Sequence, residues 1–199
     1  MHGLINRSLQ CFLRDTYGVE LWQDIAAAAG ISADGFEPML RYDDAVTLRV
    51  IDAAAAQFDL PRDSLLEDLG TYLVSHPNRE GLRRLLRFGG VSFEDFLLSI
   101  DDLPGRGRLA VADLELPQLE LADLGGGRFE VALQGAHPEF APVLVGVLRA
   151  MADDYGALVL LDHMGERETG AGSAQIVTVE LLDHRFATGR SFELAGGSA

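Results

Sequence analysis

The sequence predicts an α+β fold in which an N-terminal helical subdomain packs on a C-terminal antiparallel-sheet subdomain with one inserted helix. Three observations lead there. Through the first hundred residues apolar side chains recur at spacings of three and four, the period of a helix with one buried face. From Leu114 onward the spacing drops to two, the period of a half-buried strand. One return to helical spacing, from Phe140 to Met151, interrupts the strands. The changeover falls in residues 101–117, where Pro104, Gly105 and Gly107 are expected to stop or sharply bend the helix arriving from Ser92, because proline lacks a backbone N–H and fixes φ.

Each element has its own signal. Ile5, Leu9 and Phe12 form one face of a first helix over residues 2–17. Trp22, Ile25, Ala26 and Ala29 predict a second helix over 20–30, stopped by Gly30. Residues 32–41, around Gly35 and Pro38, read as a linker. Asp43 or Asp44 caps a third helix through Val46, Val50, Ile51, Ala54 and Phe58, closed by Pro61. Ser64-x-x-Glu67 matches a capping box ahead of Leu65, Leu69, Tyr72 and Leu73, a fourth helix broken at His76-Pro77-Asn78. A short fifth helix carries Leu82, Leu85 and Leu86 and stops at Gly89-Gly90. Ser92-x-x-Asp95 opens a sixth, with Phe93, Phe96, Leu97 and Ile100 buried. Leu114, Leu116, Leu119 and Leu121 then give one strand; Phe129, Val131 and Leu133 give the next after the Gly125-Gly126-Gly127 turn. After the inserted helix, Leu158 and Leu160, then Ile176, Val177, Val179 and Leu181, supply two more, joined by a Gly-rich turn.

Composition narrows the function classes. A chain of 199 residues is long enough for a substantial core, and 48% hydrophobic with 24% charged residues is a globular balance. A net charge of −15 works against attraction to phosphate backbones and anionic lipid, so nucleic acid is not an expected partner. All sixteen basic residues are arginine, which codon bias explains as well as any binding role. No apolar run approaches the roughly 20 residues that span a bilayer, and the N-terminus lacks a signal-peptide layout, so a cytoplasmic location is expected. The single cysteine, Cys11, set among Leu9, Phe12 and Leu13, reads as a packed thiol in a reducing compartment.

Several pieces, none very specific alone, combine into a resemblance. Met1-His2-Gly3-Leu4-Ile5-Asn6, the element order, Asp102-Leu103, Pro117 thirteen residues past Pro104, and Glu168-Thr169-Gly170 between the last strands together resemble the H-NOX family, the haem nitric oxide/oxygen binding domain, from residue 1 to about 182. The resemblance implies a domain over residues 1–187, its distal helical part over 1–60 and the remaining helices with the sheet over 61–187, followed by a tail over 188–199. It also implies haem between the subdomains, and a sensor role toward a signalling partner such as a kinase or cyclic-nucleotide enzyme. In that family a histidine before the first strand ligates the iron; the matching residue here is Pro104, which offers no ligand atom. The family's Tyr-x-Ser-x-Arg motif, which holds the haem propionates, is matched by Leu133-Gln134-Gly135-Ala136-His137, leaving His137 as the polar member. Ile5, Leu9, Leu73, Leu97, Ile100 and Pro117 match places lining the family's cavity and stay apolar. Ile100 and Pro104, four apart, share a side.

Other chemistry was weighed beside its plainer reading. His76, at the end of the fourth helix, is either a substitute iron ligand or a surface histidine in a turn. Asp162-His163 and Asp183-His184 repeat near strand ends; a metal needs them side by side, whereas such polar residues are common at strand ends. Asp43-Asp44 suits helix capping, while Asp101-Asp102 and Asp153-Asp154 read as solvated helix ends or a docking surface. No nucleophile elbow, phosphate loop or Cys-x-x-Cys pattern appears, so no catalytic set is expected. Three readings stay open: an apolar inter-subdomain cavity in a regulatory module without histidine-ligated haem, a haem gas sensor with substitute or absent protein ligation, and a carrier of a hydrophobic, lipid-like molecule.

Overall fold

In the computed structural model, residues 1–135, 137–170 and 172–190 are described; Ala136, Ala171 and most of the tail expected over 188–199, namely 191–199, lie outside them. Helix α1 (Gly3–Tyr17) starts almost at the first residue because its end is held. The His2 imidazole Nδ1 accepts from Leu4 N at 3.1 Å, Gly3 N donates to the Leu40 carbonyl at 2.7 Å, and the Met1 ammonium meets Tyr42 O at 2.7 Å and the Asp44 carboxylate. Helix α2 (Val19–Ala29) ends on Gly30 at φ 69°, the left-handed stop expected there. Helix α3 (Asp44–Phe58) is capped by Asp43, which accepts from Ala45 N at 2.9 Å.

Helix α4 (Arg62–Ser75) corrects one expectation. Ser64 does not cap it; the helix opens two residues earlier behind Pro61, whose fixed φ suits a helix entry. A 3-10 turn (Pro77–Arg79) leads to α5 (Glu80–Arg87). The Ser92–Asp95 box does form, with Ser92 Oγ accepting from Asp95 N at 3.1 Å and Asp95 Oδ2 accepting from Ser92 N at 3.0 Å, and it opens α6 (Phe93–Leu98). Pro104 does not terminate the helical stretch either. After a 3-10 turn (Ile100–Asp102) it sits in the first turn of a further helix, α7 (Leu103–Ala110), where a missing N–H costs nothing. The strand expected from Leu114 begins later, as β1 (Gln118–Gly125).

Strand β2 (Arg128–Gln134), helix α8 (Ala141–Tyr155), and strands β3 (Leu158–Thr169) and β4 (Gly172–Asp183) complete the expected order, and the sheet is antiparallel throughout in the order β1-β2-β4-β3. Two apolar clusters result. One joins Leu9, Phe12, Trp22, Ile25, Ile51 and Leu65 within the helical subdomain; the other joins Phe96, Leu97, Ile100, Phe129, Val131, Leu148 and Val177 between sheet and helices. Helices α4 and α8 connect them. Gly70 and Gly146 face the opposite helix so closely that a Cβ on Gly70 would overlap the Val143 carbonyl, and one on Gly146 the Glu67 carbonyl. None of the helices described is long and apolar enough to cross a membrane.

Candidate functional site between the subdomains

Of the ten positions singled out above, Leu9, Leu73, Leu97, Ile100 and Leu133 belong to or pack on the two clusters, and the other five do not. Leu9 is 1% exposed in the helical one, and half-buried Leu73 packs against it, while Ile5 is half-buried on α1. Leu97, Ile100 and Leu133 belong to the sheet-side cluster. Pro104 is buried on α7, three residues from buried Gly107, whose α-carbon faces the Leu116 side chain. Half-buried Pro117 lies against Gly135, which follows β2 at φ 156°. A seam forms where α7, through Gly107, meets Leu116 and the strand that follows, and Asp101 fastens that seam by accepting from Leu121 N at 2.9 Å.

The two histidines have neighbours of their own. His76 Nδ1 accepts from Asn78 N at 3.3 Å, its ring lies 4.7 Å from that of Tyr72, and Asp15 is 3.8 Å away. The imidazole thus caps the start of the Pro77–Arg79 turn, while the His76 backbone N–H closes α4 by donating to Tyr72 O. Tyr72 donates to Asp15 at 2.5 Å, and its hydroxyl is pushed up to about 12, by burial first and by that hydrogen bond second. His137 has Asp44 Oδ2 3.9 Å from Nε2 and Glu139 Oε1 3.5 Å from Nδ1. Asp44 in turn holds the Met1 ammonium, whose hydrogen bond and charge, with His137, keep its carboxyl below the usual carboxylate range. The rim of the seam at His137 is therefore acidic. The two Asp-His units do not meet: Asp162 pairs with Thr178 and Asp183 with Leu158, four residues or about 13 Å apart along β3.

With this geometry in view, the family profile described as Haem-NO-binding (HNOB) matches residues 2–163. The chain belongs to this family, the H-NOX domains. Soluble guanylate cyclase 89Da of Drosophila melanogaster is 20% identical over 92% of this chain and 27% of its own length; soluble guanylate cyclase gcy-31 of Caenorhabditis elegans is 24% identical over 59% and 17%. This H-NOX chain spans about a quarter of the length of the first of these relatives. An H-NOX mutant containing 4-cyano-L-phenylalanine superposes with a TM-score of 0.76 at 15% identity, covering 94% of this chain and all of that one. An H-NOX mutant from T. Tengcongensis gives 0.75 at 14% identity, covering 92% and 99%. These likenesses establish the H-NOX fold.

Of the positions that the resemblance assigns to haem, 104 has no nitrogen, oxygen or sulfur in its side chain, and Leu133 and Gly135 have no polar side-chain atom, so the side chains at these positions do not fit the group.

Sequence reasoning missed three features of the site's surroundings. Gly70 and Gly146 were legible only as interior helix glycines, which generally mark close packing. Asp154 is 3% exposed and ion-paired to Arg83 at 2.8 Å and Arg87 at 3.4 Å, joining α5 to the end of α8. Arg41 donates to Asp113 O and Glu115, both at 3.0 Å, tying the linker after α2 to the segment after α7. The two arginine links had no local signal, since their partners are 67 to 74 residues away.

Proposed function

We propose that this H-NOX domain is a non-catalytic sensory or regulatory module whose inter-subdomain site does not hold haem by histidine ligation. The observation that carries the reading is Pro104, buried on α7 and without a ligand atom at the family's iron-binding position. An iron–imidazole bond and charge-assisted propionate contacts, the latter about 1.5–3 kcal/mol each, normally retain the porphyrin, and neither has its residues here. The acidic rim around His137 and the close α4–α8 packing support the same reading.

The apolar character of Ile5, Leu73 and Pro117, all half-buried, favours a hydrophobic, lipid-like small molecule as the second reading. The resemblance to guanylate cyclases over a quarter of their length supports a signalling protein, a cyclic-nucleotide enzyme or kinase, as the partner. A cytoplasmic setting agrees with a lone, half-buried cysteine.

An absorbance scan of the purified protein, a haemin titration and mass spectrometry of a solvent extract test this together. The expected result is no stoichiometric Soret band. A stoichiometric band responding to nitric oxide overturns the reading, and its loss in His76→Ala would assign His76 as the substitute ligand. An extracted apolar compound in molar amounts favours the lipid-like alternative.

A further inference from the structure

A cleft with a volume of about 230 Å³ lies apart from the ten positions above, none of which lines it. Its apolar wall comes from both subdomains: Leu48 and Ile51 of α3 and Leu66 of α4 on one side, Pro138 and Pro142 at the entry to α8 on the other. The volume is below the roughly 300–1,000 Å³ of sites for drug-sized ligands, so only a small molecule fits.

The polar groups decide its charge preference. Arg62, on the wall, is ion-paired with Asp52. His163 Nε2 shares a hydrogen bond of 2.9 Å with Gln175 Oε1, so these two wall residues satisfy each other. Two carboxylates remain. Asp63 has no side-chain hydrogen bond or ion pair among the described residues. Glu139 has His137 at 3.5 Å, a histidine shared with Asp44. With a net charge of −15 around it, the cleft presents apolar walls and unneutralised negative charge.

We propose that this cleft is a binding site for a small organic cation with an apolar body, its ammonium taken by Asp63 and Glu139 and its hydrocarbon by Leu48, Ile51 and Leu66. Because the walls belong to both subdomains, such a ligand holds them together and raises the melting temperature as its concentration rises. The cleft adjoins the rim of the seam only through Glu139, which faces His137, so its occupancy is read independently of haem by the shifts at Leu48, Ile51 and Leu66.

The experiment titrates the intact chain with n-hexylammonium and, in parallel, with hexanoate, the anion of similar length, following the methyl resonances of Leu48, Ile51 and Leu66 and the Gln175 side-chain amide by NMR. Saturable shifts at these groups with the ammonium and not with hexanoate are expected. The Asp63→Asn/Glu139→Gln pair should weaken them at least tenfold while the remaining methyl spectrum stays unchanged. Leu48→Trp, which fills the cleft and leaves both carboxylates, should also abolish them. Absence of saturable shifts in the parent chain, an equal response to hexanoate, or undiminished binding in either variant overturns the proposal.

Discussion

Pro104 keeps the backbone course of α7 and offers no donor atom in its side chain. Proline suits the first turn of α7, so the backbone course through the seam needs no donor at this position. Restoring the donor alone is not expected to restore haem. On the proposed reading, Pro104→His should fold and still bind less than stoichiometric haem in a haemin titration, because Leu133 and Gly135 still offer no polar side-chain atom. A second residue-scale expectation concerns Tyr72. Its folded-state pKa of about 12 lies above the unfolded value near 10, so its proton is held more tightly in the folded chain. The associated stability is complete below about pH 10 and is lost as pH rises from there toward 12. Chemical denaturation across that window should show a downward slope in the parent chain that Tyr72→Phe reduces.

Among the elements, α4 and α8 determine how much room the subdomains leave. Gly146→Ala places a methyl against the Glu67 carbonyl, backbone that cannot rotate away, and should cost about 1–3 kcal/mol in urea denaturation. An unchanged midpoint would show that the helices separate easily, and would weaken the case for a filled seam. At the end of α8, Asp154→Asn leaves two buried guanidinium groups with one charge removed from their partner. About 3–5 kcal/mol is expected for breaking such a pair, measured as a lower denaturation midpoint. These elements also show where local sequence was enough. Ser92-x-x-Asp95 forms its box because Gly89-Gly90 has already ended the preceding helix. Ser64-x-x-Glu67 has the same spelling, but Pro61 starts α4 before it and Ser64 falls inside the first turn. Asp101 and Asp154 were read from sequence as solvated residues or part of a docking surface; Asp101 is exposed and also accepts from β1, whereas Asp154 is buried against α5, because partners twenty and about seventy residues away arrive there only in the folded chain.

At the scale of the whole molecule, the charge of −15 makes a broad prediction. At about 0.15 M salt the domain should leave the fluorescence anisotropy of a labelled DNA duplex unchanged, and saturable binding would contradict it. The order of the elements apart from α7, the caps at Asp43 and Ser92, the left-handed stop at Gly30 and the lack of a donor atom in the side chain at position 104 were determined by the sequence alone. They are local: each depends on side-chain period, on one residue's allowed φ, or on the atoms one side chain possesses. Tertiary structure decided the long-range contacts. It brought Asp44 and Glu139 to His137, closed α4 on α8 through Gly70 and Gly146, buried Asp154 between two arginines and opened a separate acidic cleft beside Leu48 and Pro142. Those outcomes depend on distances between residues far apart in the chain, which no local pattern encodes.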